Sequence, residues 1–162
     1  MDWTGEQIHT TRAKLERDVQ ALVGEILFEY SRLESALDLC LVWVGEGHDL
    51  DCRTGIIEGL ALFGKLELLA ADVNCQAAKR PLKAVYAQWI GRSHTIREHR
   101  NTIVHGRLGV DFRREMFVVV VSRATSATVK SVEYSLAELE RLIVETKFLT
   151  NELSALRDRF PL

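Results

Sequence analysis

The sequence has little of what marks linkers, membrane spans or secretion. Its 162 residues include only two prolines and ten glycines, and these are spread along the chain, so no flexible linker separates two domains. No apolar run approaches the roughly 20 residues that cross a bilayer. The polar start, Asp2–Gln7, does not resemble a signal peptide. We therefore predict one domain over residues 1–162, located in the cytoplasm and without membrane contact.

Cysteine is also scarce. Cys40, Cys52 and Cys75 are an odd number without a Cys-x-x-Cys pair, which favours free thiols over a disulfide framework or a zinc site. The segment His48–Cys52 contains residue types that bind metals, but its spacing matches no known ligand set, and Asp and Gly are common in turns. We expect neither a metal nor another cofactor.

Charge is balanced overall but not along the chain. The formal net charge is −2, which excludes general affinity for polyanions. Residues 92–114 nevertheless carry six arginines against Glu98 and Asp111, a local net charge of +4. Such a segment can receive phosphate groups. A solvated helix surface with scattered ion pairs is the alternative.

Hydrophobic periodicity predicts four helices. Apolar residues recur at steps of three or four, the spacing of one helical face, in four stretches: Thr10–Val44, Thr54–Val73, Pro81–Gly106 and Ser135–Arg159. Ser135-Leu136-Ala137-Glu138 is a capping-box pattern. The runs Met116–Val121 and Thr128–Tyr134 predict a hairpin around a turn at Ala124–Ala127. The expected fold is mainly α, an up-and-down bundle of about four helices with a β-hairpin (about 116–134) before the last helix.

The third helix ends in a cluster of reactive side chains. Its apolar stripe contains one arginine: Leu82, Tyr86, Trp89, Ser93, Ile96, Arg100 and Ile103. Because a charged residue is rarely buried alone, Arg100 should be paired, lie at an interface or line a site. A structural pairing with Glu34 of the first helix is the alternative. Gly106 is predicted to end the helix as a left-handed cap.

The same stretch resembles a known motif. Arg100-Asn101-x-x-x-His105-Gly106 is similar to the Arg-x(4–6)-His motif of the HEPN superfamily (higher eukaryote and prokaryote nucleotide-binding domains), in which a polar residue often follows the arginine. The resemblance covers about Leu15 to Gly106 and the final helix. It implies a small helical bundle and a metal-independent endoribonuclease of toxin or defence type. An antitoxin or regulatory protein would be a partner.

The residue types suit that chemistry. Histidine titrates near neutral pH and can move protons, so His105 is the expected general base or acid. Arginine binds phosphate with two parallel hydrogen bonds, which makes Arg100 the phosphate clamp, and Asn101 would orient its neighbours. The residues expected to help bind substrate are Arg97, His94 and Arg107. In the structural alternative, His105 only caps the helix C-terminus, and His94, His99, Lys65 and Glu67 face solvent.

Helix geometry favours a second copy of the chain. Five positions separate Arg100 from His105, which places them about 140° apart around a regular helix. They meet only if the last turn unwinds or if another protomer completes the site. A second apolar line on the first helix, Phe28, Leu39 and Trp43, suits a two-fold dimer with both motifs near its axis. A non-catalytic module that binds a nucleotide, RNA or a protein, and an unrelated dimerisation protein, are the competing functions.

Overall fold

The computed structural model describes residues 4–75, 80–122 and 129–162. The described elements, in chain order, are α1 (Gly5–Val42), a 3-10 turn (Val44–Gly47), α2 (Leu50–Glu58), α3 (Leu62–Cys75), α4 (Arg80–His105), β1 (Arg107–Asp111), β2 (Met116–Ser122), β3 (Val129–Ser135) and α5 (Leu136–Arg159). The expectation of a mainly helical chain with a small antiparallel sheet before the last helix is confirmed. None of the described helices is both long enough and apolar enough to cross a membrane.

Helix α1 begins five residues before the predicted start because a capping box precedes it. The backbone N–H of Thr4 donates to Gln7 Oε1 (3.0 Å), and the Gln7 N–H donates to Thr4 Oγ1 (3.3 Å). This reciprocal pair satisfies two of the donors that a helix N-terminus leaves open.

The predicted second helix is two helices. Helix α2 ends at Glu58, where short backbone bonds join Gly59 N to Ile56 O (3.3 Å) and Leu60 N to Ile57 O (3.0 Å). The break shifts the helical phase of α3 relative to α2. Periodicity across Thr54–Val73 predicts a buried face of Ile57, Leu60, Ala61, Leu68 and Ala71. Of these, Ile57 of α2 is buried, at 3% exposed, and Leu60 and Ala61 lie in the break. The buried residues of α3 are instead Leu62, Lys65, Leu66, Leu69 and Val73.

The sheet has one strand more than the predicted hairpin. Its order is β1-β2-β3, antiparallel throughout. Residues 112–115 join β1 to β2, and Asp111 Oδ1 accepts bonds from Arg113 N (3.0 Å) and Arg114 N (3.3 Å). The predicted strands are confirmed at β2 and β3, and the predicted turn at Ala124–Ala127 lies outside the described residues. At the end of β3, Ser135 and Glu138 form the predicted capping box.

Contacts between residues divide the chain into two compact units. The first, called the sheet unit, comprises Met1–Phe28 and Glu98–Val144, and the second, called the helical unit, comprises Glu29–Arg97 and Glu145–Leu162. The core of the sheet unit joins residues of α1, α4, the sheet and α5: Leu15, Val19, Ile26, Ile103, Phe117, Val119, Tyr134, Leu139 and Ile143.

The helical unit contains a buried cation that was predicted to face solvent. Lys65 of α3 is 6% exposed, and its ammonium lies 3.1 Å from Glu34 Oε1 and 2.7 Å from Asp38 Oδ1 of α1. Burial alone would lower the pKa of Lys65, but the hydrogen bonds to Asp38 and Glu34 outweigh it and raise that pKa. The surface prediction is wrong for Lys65 and confirmed for Glu67, whose side chain is 60% exposed.

Aromatic side chains with satisfied polar groups complete the helical unit. Trp89 Nε1 donates to Leu149 O (2.9 Å), and the Tyr86 hydroxyl donates to Phe160 O (3.2 Å). All three cysteines are free thiols, with Cys40 buried and Cys52 and Cys75 exposed. Burial raises the pKa of the Cys40 thiol to about 11.

Candidate functional site

One residue separates the motif helix from the sheet. The Gly106 N–H donates to Thr102 O (3.1 Å), so the helical bonding pattern continues to the end of α4. Gly106 is not among the residues with positive φ, and the predicted left-handed cap is therefore wrong. A Cβ at this position would overlap the Val119 side chain and lie 2.8 Å from Thr102 O. Glycine is needed here because β2 packs against the helix end, not because of its backbone conformation.

Arg100 interrupts a stripe that is otherwise buried. Its apolar neighbours on that face, Ile96 and Ile103, are 4% and 1% exposed, whereas Arg100 is half-buried. Its Nη1 donates to Asn101 Oδ1 (3.2 Å), so the amide fixes one side of the guanidinium. Glu34, the partner considered in the structural alternative, is bound by Lys65.

His105 is the last residue of α4 and is exposed. Because the helix stays regular through its final turn, His105 and Arg100 of one chain point about 140° apart. Asn101 lies one turn before His105 and shares its side of the helix. The structure therefore joins Arg100 to Asn101 directly and places His105 beside Asn101. The last turn of α4 stays helical, so it does not bring His105 to Arg100.

Arg107 lies on β1, a strand outside the predicted hairpin. It is exposed and stands opposite Val120 in the β1–β2 register. In the turn after β1, Arg114 Nη1 donates to Glu133 Oε1 (2.9 Å), which lowers the pKa of the Glu133 carboxyl. The guanidinium of Arg113, which is exposed, lies 5.8 Å from the centre of the Phe112 ring.

A contact that sequence reasoning missed joins α4 to β3. His99 Nδ1 and the Tyr134 hydroxyl are hydrogen-bonded at 3.1 Å, and the two rings meet edge to face. Tyr134 is 4% exposed, and burial, with the nearby Glu138 carboxylate second, raises the pKa of its hydroxyl. The prediction that His99 faces solvent is wrong. The only sequence signal was the alternation of β3, which turns Tyr134 inward.

His94 and Arg97 belong to the helical unit, where both contact Phe63. The ring centres of His94 and Phe63 are 5.7 Å apart, and Arg97 Cζ lies 5.0 Å from the centre of the Phe63 ring. His94 Nε2 is 3.8 Å from Glu67 Oε1, with the His94 side chain 24% exposed. His94 is thus not the fully solvated residue that the structural alternative expected.

The local positive charge is smaller than its arginine count indicates. Arg92 donates to Glu145 Oε1 (2.8 Å) and to Glu152 Oε2 (2.8 Å), and Arg114 is bound by Glu133. At least two of the six arginines in residues 92–114 are thus matched by carboxylates from other parts of the chain. The positive charge that a phosphate would meet is accordingly weaker than +4.

Two grooves lie in the sheet unit beside α1. One, of about 350 Å³, is lined by Glu16, Val19, Gln20, Val23, Leu108, Gly109, Val110 and Phe117. The other, of about 320 Å³, is lined by Thr10, Thr11, Lys14, Leu15, Asp18, Phe112, Glu115 and Leu136. Arg100, Asn101 and His105 line neither groove.

The motif residues thus offer a proton-transfer group, a cation and an orienting amide on one helix end. Within the described residues, no group of three or more His, Cys, Asp or Glu side chains is placed to hold a metal ion. Comparisons of this chain with protein-family models, with curated proteins and with solved structures found no match.

Proposed function

We propose that the protein is a metal-independent endoribonuclease of toxin or defence type. His105 acts as general base or acid, Arg100 clamps the phosphate, and Asn101 holds the arginine in a cleft at the interface of two copies. The observation that carries the proposal is the exposed His105 one turn beyond the Arg100–Asn101 hydrogen bond, on a regular helix end. Arg107, Arg97 and His94 are the residues proposed to help bind substrate.

The chemistry needs no group beyond these side chains and the RNA. Neutral His105 accepts the proton of a 2′-hydroxyl, and the 2′-oxygen attacks the adjacent phosphorus. The bond from phosphorus to the 5′-oxygen breaks, and that oxygen takes a proton from the imidazolium or from water. Arg100 stabilises the charge that builds on the phosphoryl oxygens. The products are a 2′,3′-cyclic phosphate and a free 5′-hydroxyl.

A second copy is part of the proposal because of the helix geometry. The side chains of Arg100 and His105 leave one regular helix in directions about 140° apart, so one chain presents them to different surroundings. A cleft between two chains can surround one phosphodiester with groups from both. The exposed apolar side chains Phe28 (61%), Leu39 (58%) and Trp43 (52%) offer additional surface for such an assembly.

The alternative is a non-catalytic module that binds a nucleotide, RNA or a protein partner. The carboxylates that bind Arg92 and Arg114 favour it, because they reduce the positive charge available to a long RNA. A protein partner such as an antitoxin or a regulatory protein would then be bound without chemistry.

Cleavage assays separate the two functions. Purified protein is incubated with a mixed pool of single-stranded RNAs and a chelator, and the RNA ends are analysed. Cyclic-phosphate ends produced by the wild type and lost in both His105→Ala and Arg100→Ala support the ribonuclease. The matched controls are the exposed His48→Ala and Arg12→Ala, which should cleave like the wild type.

Other outcomes have defined meanings. RNA binding without cleavage contradicts the enzyme and supports the module. If protein that is folded by circular dichroism neither cleaves nor binds RNA, both RNA-based functions are contradicted. Growth arrest on expression that His105→Ala relieves would support a toxin in cells.

A further inference from the structure

Strand β1 leaves one edge of the sheet open. In the order β1-β2-β3, it pairs with β2 on one side and with no described strand on the other. Leu108 in the middle of β1 is 55% exposed, and Arg107 and Gly109 are exposed as well. The unpaired backbone N–H and C=O groups of such an edge form a template for another strand.

An apolar groove runs beside this open edge. Leu108 and Val110 of β1 line it from one side, and Val19 and Val23 of α1 line it from the other. Side chains alternate along a strand, so Leu108 and Val110 face the groove while Arg107 and Asp111 lie on the opposite face. A strand added to β1 would insert every second side chain into this groove of about 350 Å³.

The sequence of β1 is complementary to itself in reverse. Arg107-Leu108-Gly109-Val110-Asp111 has a cation at one end, an anion at the other, and an aliphatic residue on each side of a central glycine. In an antiparallel pair centred on Gly109, Arg107 stands opposite Asp111 of the second copy, and Leu108 stands opposite Val110 of the second copy. Residues of opposite charge that stand across from each other on one face of a sheet attract each other.

We propose that β1 pairs antiparallel with β1 of a second copy of this chain, about a two-fold axis through Gly109. The contact joins two three-stranded sheets into one of six strands and closes both open β1 edges. It forms the two Arg107–Asp111 pairs by symmetry and fills each groove with Leu108 and Val110 of the other copy. The turn bonds of Asp111 to Arg113 N and Arg114 N both use Oδ1. Its Oδ2 lies 3.8 Å from Arg114 Nη1, so Arg107 of the second copy would share this oxygen with Arg114.

The same register has a consequence for the site, and this step rests on the proposed function. His105 lies four positions before the axis, and Arg113 lies four positions after it. The turn of the second copy, with its exposed Arg113, is therefore the part of that copy nearest to His105. Each His105 would thus meet Arg113 of the other copy in its own cleft, one at each end of the β1 pair. The two motifs would not share a single cleft at the axis.

Cysteine cross-linking tests the position of the axis. Opposite residues of an antiparallel pair have Cα atoms about 4.5–5.5 Å apart, a separation that a disulfide can bridge. Gly109→Cys is made in a Cys52→Ser/Cys75→Ser background. A Cβ at Gly109 meets nothing within 4 Å, so the variant should fold. Mild oxidation should convert most of it to covalent dimer.

The matched control is Gly24→Cys in the same background. Gly24 is also exposed, and its added Cβ also meets nothing within 4 Å, but it lies on a helix and not on the strand through which the proposed axis passes. It should remain largely monomeric on a non-reducing gel. Equal cross-linking of the two variants, or none for Gly109→Cys, would overturn the proposal.

Charge exchange tests the register. Arg107→Asp alone places two carboxylates opposite each other at both ends of the pair, and Asp111→Arg alone places two guanidinium groups there. We expect each variant to raise the dimer dissociation constant about tenfold, the size of a change in two cross-strand pairs. A mixture of the two variants restores both opposite-charge pairs and should form heterodimers, measured by sedimentation velocity.

The outcomes decide the proposal without RNA. The pairing would be contradicted if the wild type stays monomeric at roughly 100 times the protein concentration of the cleavage assay. It would also be contradicted if the single variants dimerise as tightly as the wild type. A folded mixture that stays monomeric would contradict it as well. Because Asp111 also supports the turn, Arg107→Asp and the cysteine pair remain decisive if Asp111→Arg does not fold. RNA cleavage is measured separately, so failure of either proposal leaves the other standing.

Discussion

Gly106→Ala should destabilise the protein although it replaces glycine with a good helix former. The residue lies between α4 and β1, and its added Cβ would overlap the fully buried Val119 side chain and crowd Thr102 O. Overpacking of this kind costs about 1–3 kcal/mol. Alanine also restricts the unfolded chain more than glycine does, which stabilises the folded state by about 0.4–1 kcal/mol. Central values of the two ranges leave an expected loss of about 1–2 kcal/mol in the free energy of unfolding.

For a chain of this length, each kcal/mol corresponds to about 2–4 °C, so the melting temperature should fall by about 2–8 °C. Thermal and urea unfolding followed by circular dichroism measure both quantities. Gly24→Ala is the control, because an exposed helical position with free space should gain about 0.5–1 kcal/mol from the same substitution. The two glycine variants are thus expected to differ in sign.

A double variant tests the cause. Val119→Ala makes room for the new methyl group, so Gly106→Ala/Val119→Ala should lose at least about 0.5 kcal/mol less than the sum of the single variants. Additive effects, or a Gly106→Ala variant as stable as the wild type, would refute the close approach of β2 to the helix end.

Two further predictions concern titratable groups away from the motif. Hydrogen bonds from the Ser135 backbone N–H, and then from its hydroxyl, hold the pKa of Glu138 below its usual 4.5. The ionised Glu138 therefore stabilises the fold above pH 4.5, and this contribution is lost as the pH falls through the lowered pKa. Glu138→Gln can still cap α5, so its free energy of unfolding should fall less steeply than that of the wild type between about pH 5 and 2. Because burial raises the pKa of Cys40 to about 11, a thiol reagent at about pH 8 should titrate Cys52 and Cys75 in the native protein and Cys40 only after denaturation, and three rapidly reacting thiols would contradict its burial.

Periodicity predicted the helices well where one face is buried along their whole length. On the stripe of α4, each apolar position from Leu82 to Ile103 is buried, and Arg100 is half-buried. The same reasoning failed between Thr54 and Val73. A break of three residues there shifts the phase, and periodicity read across the break assigns the wrong face to α3.

The missed features depend on contacts distant in sequence. Strand β1 contains a glycine and a residue of each charge, so its strand conformation comes from pairing with β2 and not from propensity. The burial of Lys65 depends on two carboxylates, Glu34 and Asp38, one turn apart on another helix. That acidic pair at i and i+4 was a visible signal for a cation, although it did not say which one.

The motif itself was only partly predictable. Its position at the end of a helix was confirmed, and so was the regular spacing that separates Arg100 from His105. The bond between Arg100 and Asn101, and the contact of His99 with Tyr134, depend on rotamers and on β3 packing, which the spacing of residues does not contain.

Helix α4 and strand β1 are joined by Gly106 alone, so no loop separates the last helical turn from the first residue of the sheet. A rigid junction transmits small displacements that a longer loop would absorb. Binding of a partner to β1 should therefore shift the imidazole of His105, two residues before the strand. The reactivity of this imidazole should then change on binding at the sheet edge, even without direct contact between the partner and His105.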